Sequence, residues 1–323
     1  MNKLTFLIIG SGSIGQRHIT NLKKISPKFK TILVRRKTSK SKNFVKPSLI
    51  INDYKKFPIE EIDAVILANP SSFREKIIKY FIKNKKPLFI EKPIANTKKQ
   101  AEKILQILKK NKDVPIMIGY CLRFLKSLIF FKKILSLPEL GKIISSQIFF
   151  SQDLTSWRRN IRYQDSVSAQ KKLGGGVLQE MSHEFDYIQW IFGKIRKRIG
   201  HIFLVKSLEM DVHNHADLIL KTSNNIVINI HLDMLSNFHQ RTCKVLCENG
   251  SILWDYNNNF VKWKVNGLKE KKKEFSENQK IEMYISEIKK FLLMIKNKKS
   301  EFEYVQDSVD LIKVIEKLKL VKL

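Results

Sequence analysis

The stretch KLTFLIIGSGSIGQRH, residues 3–18, joins an apolar run directly to a glycine-rich turn. Residues 4–9 read as a strand buried on both faces, the pattern of a parallel sheet covered by helices. Gly10, Gly12 and Gly15 then fall at the G-x-G-x-x-G spacing, and a helical pattern runs from Ser13 to Ile25. The first glycine makes a tight turn, the second lets backbone approach a pyrophosphate, and the third lets helix and strand pack closely. The new helix offers free N–H groups and its positive dipole end to that anion. Glycines are common in loops, so the spacing alone is weak. The strand before and the helix after turn it into a dinucleotide site carried by Gly10, Gly12, Ser13, Ile14 and Gly15.

Outward from this turn, apolar runs at residues 31–34, 49–51, 64–67, 88–90 and 116–118 alternate with helical patterns, notably 73–83 and 97–110. That alternation predicts a doubly wound parallel sheet. It stops near Gly119-Tyr120. Beyond it, residues 123–135 read as a helix, 143–150 as a strand and 177–192 as a helix. Strand patterns follow at 199–205, 216–221, 226–233, 242–247, 251–254 and 260–264, with short turns at 223–225 and 248–250 that argue for antiparallel hairpins. Helices at 280–296 and 307–320 close the chain, and the Lys-rich residues 269–273 read as a solvated loop. The expected fold class is α/β, with a dinucleotide-binding domain over 1–120. A C-terminal α+β domain over 121–323 would contain an open, mostly antiparallel sheet.

At 323 residues, 43% of them hydrophobic, the chain is long enough for two domains with sizeable cores. The net charge of +31 raises a nucleic-acid or membrane reading. The excess is mostly Lys, spread along the chain beside abundant Ile and Asn, so A/T-rich codons are the simpler account. A phosphate-reading surface would use Arg more heavily, because its planar fork pairs bidentately. No specific nucleic-acid partner is expected. Cys121, Cys243 and Cys247 make neither a disulfide framework nor a zinc spacing. The apolar run at 4–9 is too short for a signal peptide, and no segment reaches the ~18 apolar residues of a membrane span. A cytoplasmic protein without membrane attachment is expected.

An acidic residue about twenty positions past the glycines ordinarily binds the ribose 2′-hydroxyl of NAD. Here the second strand runs into Arg35-Arg36, with no carboxylate at that point. A guanidinium there suits a 2′-phosphate, so NADP is preferred over NAD, and a flavin is disfavoured. Asn69-Pro70 follows the strand at 64–67, and Glu91-Lys92-Pro93 follows the strand at 88–90. Both stand at the sheet edge where ligands bind. A solvated strand end would account for the charged pair equally well.

The stretch KLGGGVLQEMSHEFDYIQWIFG, residues 172–193, opens a helix on three consecutive glycines. Gln179, Glu180, His183, Asp186 and Tyr187 then recur at three- and four-residue intervals, so many share neighbouring faces. A histidine on a helix is more often structural than catalytic. Carboxylates on neighbouring faces keep acid–base chemistry open for this one.

Taken in order, GSGSIGQRH, FIEKPIA, GYCLRF and GGGVLQEMSHEFDYIQWIFG resemble the Gfo/Idh/MocA oxidoreductases, over nearly the whole chain. The stretch SWRRNIRYQDSVSA, residues 156–169, is similar to a subgroup associated with sugar and surface-polysaccharide pathways. The resemblance implies an N-terminal Rossmann domain, a C-terminal domain whose open sheet makes a subunit interface, and NAD(P)-dependent redox chemistry at a carbohydrate carbon. It implies that Lys92 is the catalytic lysine, that the Lys92–Pro93 bond is cis, and that His183 is the acid/base. The family's Asp before that histidine is missing here. Glu180 or Gln179 takes its place, and Glu180 keeps the charge. Asn69, Pro70, Glu91 and Lys92 join the cofactor residues. Tyr120 and Arg123 match residues bordering nicotinamide and substrate, and Arg74 stands where many relatives have His. Trp157, Arg158, Arg162 and Tyr163 are candidates for the substrate end, Trp by stacking on a sugar and Arg by holding an anion. A basic surface loop would look the same. The scheme needs no metal. A homo-oligomer, dimer or tetramer, is expected. The competing activities are an inositol-type polyol dehydrogenase and a cofactor-bound, non-catalytic sensor.

Overall fold

The structure is a computed structural model describing residues 3–35, 45–157 and 162–318. Two compact units divide the chain: Met1–Tyr120 with Tyr284–Lys313, and Cys121–Met283 with Val314–Leu323.

In the first unit, strands β1 (Thr5–Ile9), β2 (Lys30–Val34), β3 (Leu49–Ile51), β4 (Ala64–Leu67), β5 (Leu88–Glu91) and β6 (Ile116–Gly119) form one sheet in the order β3-β2-β1-β4-β5-β6. Every neighbouring pair is parallel. Strands β4, β5 and β6 are buried throughout, as their uninterrupted apolar runs require when helices cover both faces. Three helices, α1 (Ser13–Ile25), α2 (Arg74–Lys83) and α3 (Lys98–Lys109), do the covering. α3 buries Ala101, Ile104, Leu105 and Leu108, a 3.6-residue stripe, and Thr97 caps it by accepting the Gln100 N–H. The order reverses between β1 and β4. Such a switch point leaves a crevice at the carboxyl ends of those strands.

The second unit carries α4 (Lys126–Ile134), β7 (Ile143–Ser151), α5 (Leu154–Trp157), α6 (Val177–Glu180), α7 (Ser182–Phe192) and β8 (Ile195–Phe203). They are followed by β9 (His215–Thr222), β10 (Val227–Asp233), β11 (Gln240–Cys247), β12 (Gly250–Asp255), β13 (Phe260–Val265) and β14 (Lys271–Glu274). Its eight strands run in the order β14-β13-β12-β11-β7-β10-β9-β8. All pairs are antiparallel except β7 with β10. Burial alternates strictly along β9, so Ala216, Leu218 and Leu220 face the core while His215, Asp217 and Ile219 face outward. Helices α8 (Gln279–Asn297) and α9 (Phe302–Glu316) contribute residues to both units.

Several expectations shift. Residues 284–313 group with the first unit, where Phe291 meets Phe89 at 5.7 Å and Tyr304 lies beside Tyr120 at 6.2 Å between ring centres. The Lys-rich loop contains the edge strand β14, exposed along its length but hydrogen-bonded to β13 on one side. Lysines on an edge keep it from pairing with another chain. Cys121–Phe124 forms a 3₁₀ turn before α4. The helix expected over 177–192 breaks at Met181 (φ −89°, ψ 22°), which separates Glu180 on α6 from His183 on α7.

Candidate functional site

The glycine turn sits at the switch point of the first unit. Gly10 has φ +117°, and a Cβ there would come within 2.6 Å of the Ala68 carbonyl group at the end of β4. A Cβ on Gly15 would overlap the Gly10 carbonyl oxygen, so the closeness of turn and helix depends on glycine at both positions. Gly12 differs. It is the N-cap of α1, and a Cβ would meet nothing within 4 Å. No side-chain hydrogen bond caps α1 at Gly12 and its first turn holds no acid, so no carboxylate of the helix offsets its leading N–H groups and dipole. Ser13 and Ile14 begin that helix, and Gln16 Nε2 braces the turn by donating to Ser11 O at 3.1 Å. These residues fit the pyrophosphate of a dinucleotide.

Arg35 directly follows β2, its N–H donating to Ile51 O at 2.8 Å. Arg36 lies outside the described residues, as does Arg158.

At the end of β5, Glu91 is buried and pairs with a residue the sequence does not single out. His18 Nε2 on α1 lies 2.6 Å from Glu91 Oε1, and His18 is fully buried. The His18 ring meets Phe89 edge-on at 4.9 Å, and the Lys92 N–H donates to Glu91 Oε2 at 3.3 Å. The helix after the glycine turn is thereby tied to the strand that presents Lys92. The solvated strand end weighed for this pair does not describe Glu91, which is 6% exposed. The Lys92–Pro93 bond is cis, as the resemblance implies.

Arg74 holds this corner from the other side. The residue is 3% exposed; its Nε and Nη2 donate to Asn69 O at 3.0 and 2.7 Å, and Nη1 donates to Glu91 O and Pro93 O. One planar cation therefore fastens the Asn69-Pro70 turn to the backbone on both sides of Lys92. Burial pulls its pKa from 12.5 to about 10, with Glu91 opposing, so it stays charged at neutral pH. A histidine has too few donors to do the same. Tyr120 closes β6 and is fully buried.

In the second unit, Arg123 grips Asp186 on α7 bidentately: Nε donates to Oδ2 at 2.9 Å and Nη2 to Oδ1 at 2.8 Å. Two of its donors are thus committed within the protein. The glycine run has a local cause. Gly174 and Gly176 have φ of +87° and +112°, and a Cβ on Gly175 would overlap the Val167 carbonyl oxygen. That close approach brings Ser168 to Glu180, whose Oε1 accepts the Ser168 hydroxyl at 3.0 Å. Gln179 and Glu180 are both half-buried on α6, and His183 is half-buried on the first turn of α7. The next residue, Glu184, is fully buried and accepts from Arg241 Nε at 2.7 Å. Its charge holds the Arg241 guanidinium well above its usual range, against burial. Neither residue of this pair is signalled by sequence spacing.

Trp157 ends α5 and meets Phe150 edge-on at 6.3 Å. The Tyr163 hydroxyl accepts the Glu209 N–H at 3.1 Å, and Arg162 is exposed. Among the described residues, no helix is long and apolar enough to cross a membrane.

Comparison with known proteins accords with both units. A family model described as an oxidoreductase family with an NAD-binding Rossmann fold matches residues 4–120, and the Gfo/Idh/MocA C-terminal domain model matches 130–253. The uncharacterised oxidoreductase YrbE of Bacillus subtilis is 27% identical over 191 residues, covering 58% of this chain and 53% of that protein. The chain thus spans about half the length of that curated relative. The inositol 2-dehydrogenase of Acidothermus cellulolyticus is 19% identical over 253 residues, 76% of this chain and 71% of that protein. The solved structure of a levoglucosan dehydrogenase in complex with NADH and levoglucosan superposes with a TM-score of 0.84 at 15% identity. That match covers 98% of this chain and 96% of the other, and at such identity it establishes the fold. With both of its domains matched in order, the chain belongs to the Gfo/Idh/MocA oxidoreductase family.

Proposed function

We propose that this protein catalyses NAD(P)-dependent hydride transfer to or from the C–OH carbon of a carbohydrate. The observation that carries the reading is the joining of Gly12 and Lys92 within one unit through the buried His18–Glu91 pair. A pyrophosphate anchor and a candidate reactive cation are thereby held at neighbouring strand ends of one sheet.

When bound, the nicotinamide supplies the hydride chemistry. Gly10–Gly15 backbone and the α1 N-terminus hold the pyrophosphate, with Asn69, Pro70 and Glu91 shaping the edge. The Lys92 ammonium stabilises negative charge developing on the substrate oxygen. His183 takes the hydroxyl proton during oxidation and returns it during reduction. Glu180, rather than Gln179, supplies the carboxylate of the family's missing Asp, and Ser168 orients it. Tyr120 and Trp157 are the apolar candidates beside the ring, with Arg123, Arg158 and Tyr163 as polar ones. Arg35 and Arg36 favour NADP over NAD by pairing with a 2′-phosphate.

An uncharged cyclic polyol is the second reading of the substrate. One cation that would grip an anion has its charge met within the protein, Arg123 by Asp186. Cys121, Cys243 and Cys247 are buried thiols outside any disulfide, which suits a reducing, cytoplasmic compartment. The outward sheet face exposes Ile199, Ile219, Val227 and Leu246, an apolar surface suited to a homo-oligomer.

A screen of NADPH and NADH absorbance against sugars, nucleotide-linked sugars and inositols tests the activity. Lys92→Met and His183→Ala are each expected to abolish turnover while cofactor binding persists, and full activity in either overturns the assignment. Arg35→Ala with Arg36→Ala should weaken NADPH more than NADH; equal losses would refute the phosphate reading. Light scattering should show a monomer for Ile199→Asp with Ile219→Asp and an oligomer for the wild type.

A further inference from the structure

We propose that His215, Asp217 and His231, on the outward face of the second unit's sheet, bind a first-row divalent transition-metal cation of the Zn²⁺ class. On the antiparallel pair β9–β10, His215 stands opposite Asp233, and Asp217 stands opposite His231. Residues two apart on a strand share a face, so the His-x-Asp of each strand makes a square of two imidazoles and two carboxylates.

His231 occupies the centre of this square. Its Nδ1 lies 2.7 Å from Asp217 Oδ1, and its Nε2 lies 2.9 Å from Asp233 Oδ2. A neutral imidazole has one N–H to give. Asp233 is fixed in place, its Oδ1 accepting the Leu235 and Ser236 N–H groups at 2.8 Å each, and it is the natural acceptor for Nε2–H. The Nδ1 lone pair then faces a carboxylate, a contact closed either by a second proton on the ring or by a cation that both groups bind. His215 turns its Nε2 towards the other oxygen of the same carboxylate at 3.6 Å, too far for a hydrogen bond. A proton on His231 would account for the first contact but not for this convergence. One donor atom from each of His215, Asp217 and His231 lies within 4.8 Å of the others.

The rings are held ready. Phe149, opposite His231 on β7, stacks on it at 4.3 Å and 14°, and Phe203, opposite His215 on β8, stacks on that ring at 4.3 Å. Two imidazoles and one carboxylate suit Zn²⁺ and its neighbours rather than Mg²⁺ or Ca²⁺, which prefer oxygen ligands. Asp233 behind His231 reproduces the carboxylate–histidine–metal arrangement, which fixes the tautomer and raises the ligand's basicity. Three protein ligands leave a coordination position for water or another donor. In the single chain the Asp217 side chain is 55% exposed, so an ion can enter before a second copy covers this face.

The test uses the full chain, stripped with a chelator and titrated calorimetrically with Zn²⁺, with Co²⁺ as a visible-absorption probe. The expected result is one equivalent bound per chain, with Co²⁺ giving the intense bands of a four-coordinate site. His215→Gln, His231→Gln and Asp217→Asn should each weaken Zn²⁺ binding by more than tenfold, and Asp233→Asn by about 10–100-fold. Melting curves in chelator identify variants that fold; the wild-type Co²⁺ spectrum and any remaining ligand variant then decide. No Zn²⁺ uptake by the wild type, or uptake unchanged in the folded ligand variants, overturns the proposal and leaves a protonated His231 as the bridge.

Discussion

Replacing Arg74 by Met removes the group that fastens the corner around Lys92. In the folded chain its guanidinium donates four hydrogen bonds to three carbonyl oxygens, those of Asn69, Glu91 and Pro93. A bond from a charged donor contributes about 1.5–3 kcal/mol, and such bonds sharing one group are not additive. Desolvating the cation works the other way: burial drops its pKa from 12.5 to about 10, and losing the charge returns that cost, about 3 kcal/mol. The methionine stem refills part of the space, but the three carbonyls lose their partner. The balance is a destabilisation of about 3–5 kcal/mol, in the range of breaking a buried ionic network from one side. For a unit of this size each kcal/mol lowers the melting temperature by about 2–4 °C, so the expected drop is about 6–20 °C. Arg74→Lys keeps the charge but not the planar fork, and should fall between wild type and Arg74→Met. Thermal denaturation followed by circular dichroism reads both variants. A melting temperature for Arg74→Met within about 2 °C of wild type would refute the reasoning. A fully stable Arg74→Lys would show that charge alone, without the fork, holds the corner.

The two glycines of the turn should separate binding from folding. Gly12→Ala adds a methyl into open space, so the melting temperature should hold while dinucleotide affinity by calorimetry drops; Gly15→Ala should lower both, because its Cβ would overlap the Gly10 oxygen. Asp186→Asn takes one charge from the Arg123 pair and should cost about 2–4 kcal/mol in denaturant titration, an unchanged midpoint arguing against the pair's weight. Burial pushes the Cys243 thiol from 9.0 to about 12, so at pH 8 only about one molecule in ten thousand carries the thiolate. Cys243 should therefore resist alkylation until the chain unfolds. The unfolded chain releases this proton near pH 9 and the folded chain does not, so stability falls between pH 9 and 12. The slope is up to about 1.4 kcal/mol per pH unit. Rapid labelling of the native thiol at pH 8, detected by mass spectrometry, would contradict the burial.

What could be read in the sequence is what the backbone dictates locally. A strand covered on both faces must be apolar at every position, so 64–67 and 88–90 stand out without any knowledge of their neighbours. The glycine turn is legible for a similar reason: Gly10 needs a positive φ, and Gly15 needs the absence of a Cβ. Pairing across the sheets leaves no such trace. His18 and Glu91 are 73 residues apart, and only the order β1-β4-β5, with α1 packed behind it, brings them together. Arg123 reads as a ligand group until the fold commits it to Asp186, and Arg74 reads as a substituted histidine until three carbonyls converge on it. The break at Met181 is equally tertiary. An unbroken helix would carry Gln179, Glu180 and His183 on one continuous spiral, whereas the turn at Met181 resets the phase between them. Between those cases lies the repeated His-x-Asp of β9 and β10. Period-two spacing says that each pair shares a face, but register alone sets Asp217 opposite His231 and converts two unremarked tripeptides into one cluster. A one-residue slip in that register would scatter the four side chains over both faces. The chemistry inferred for them is therefore a property of the pairing as much as of the residues.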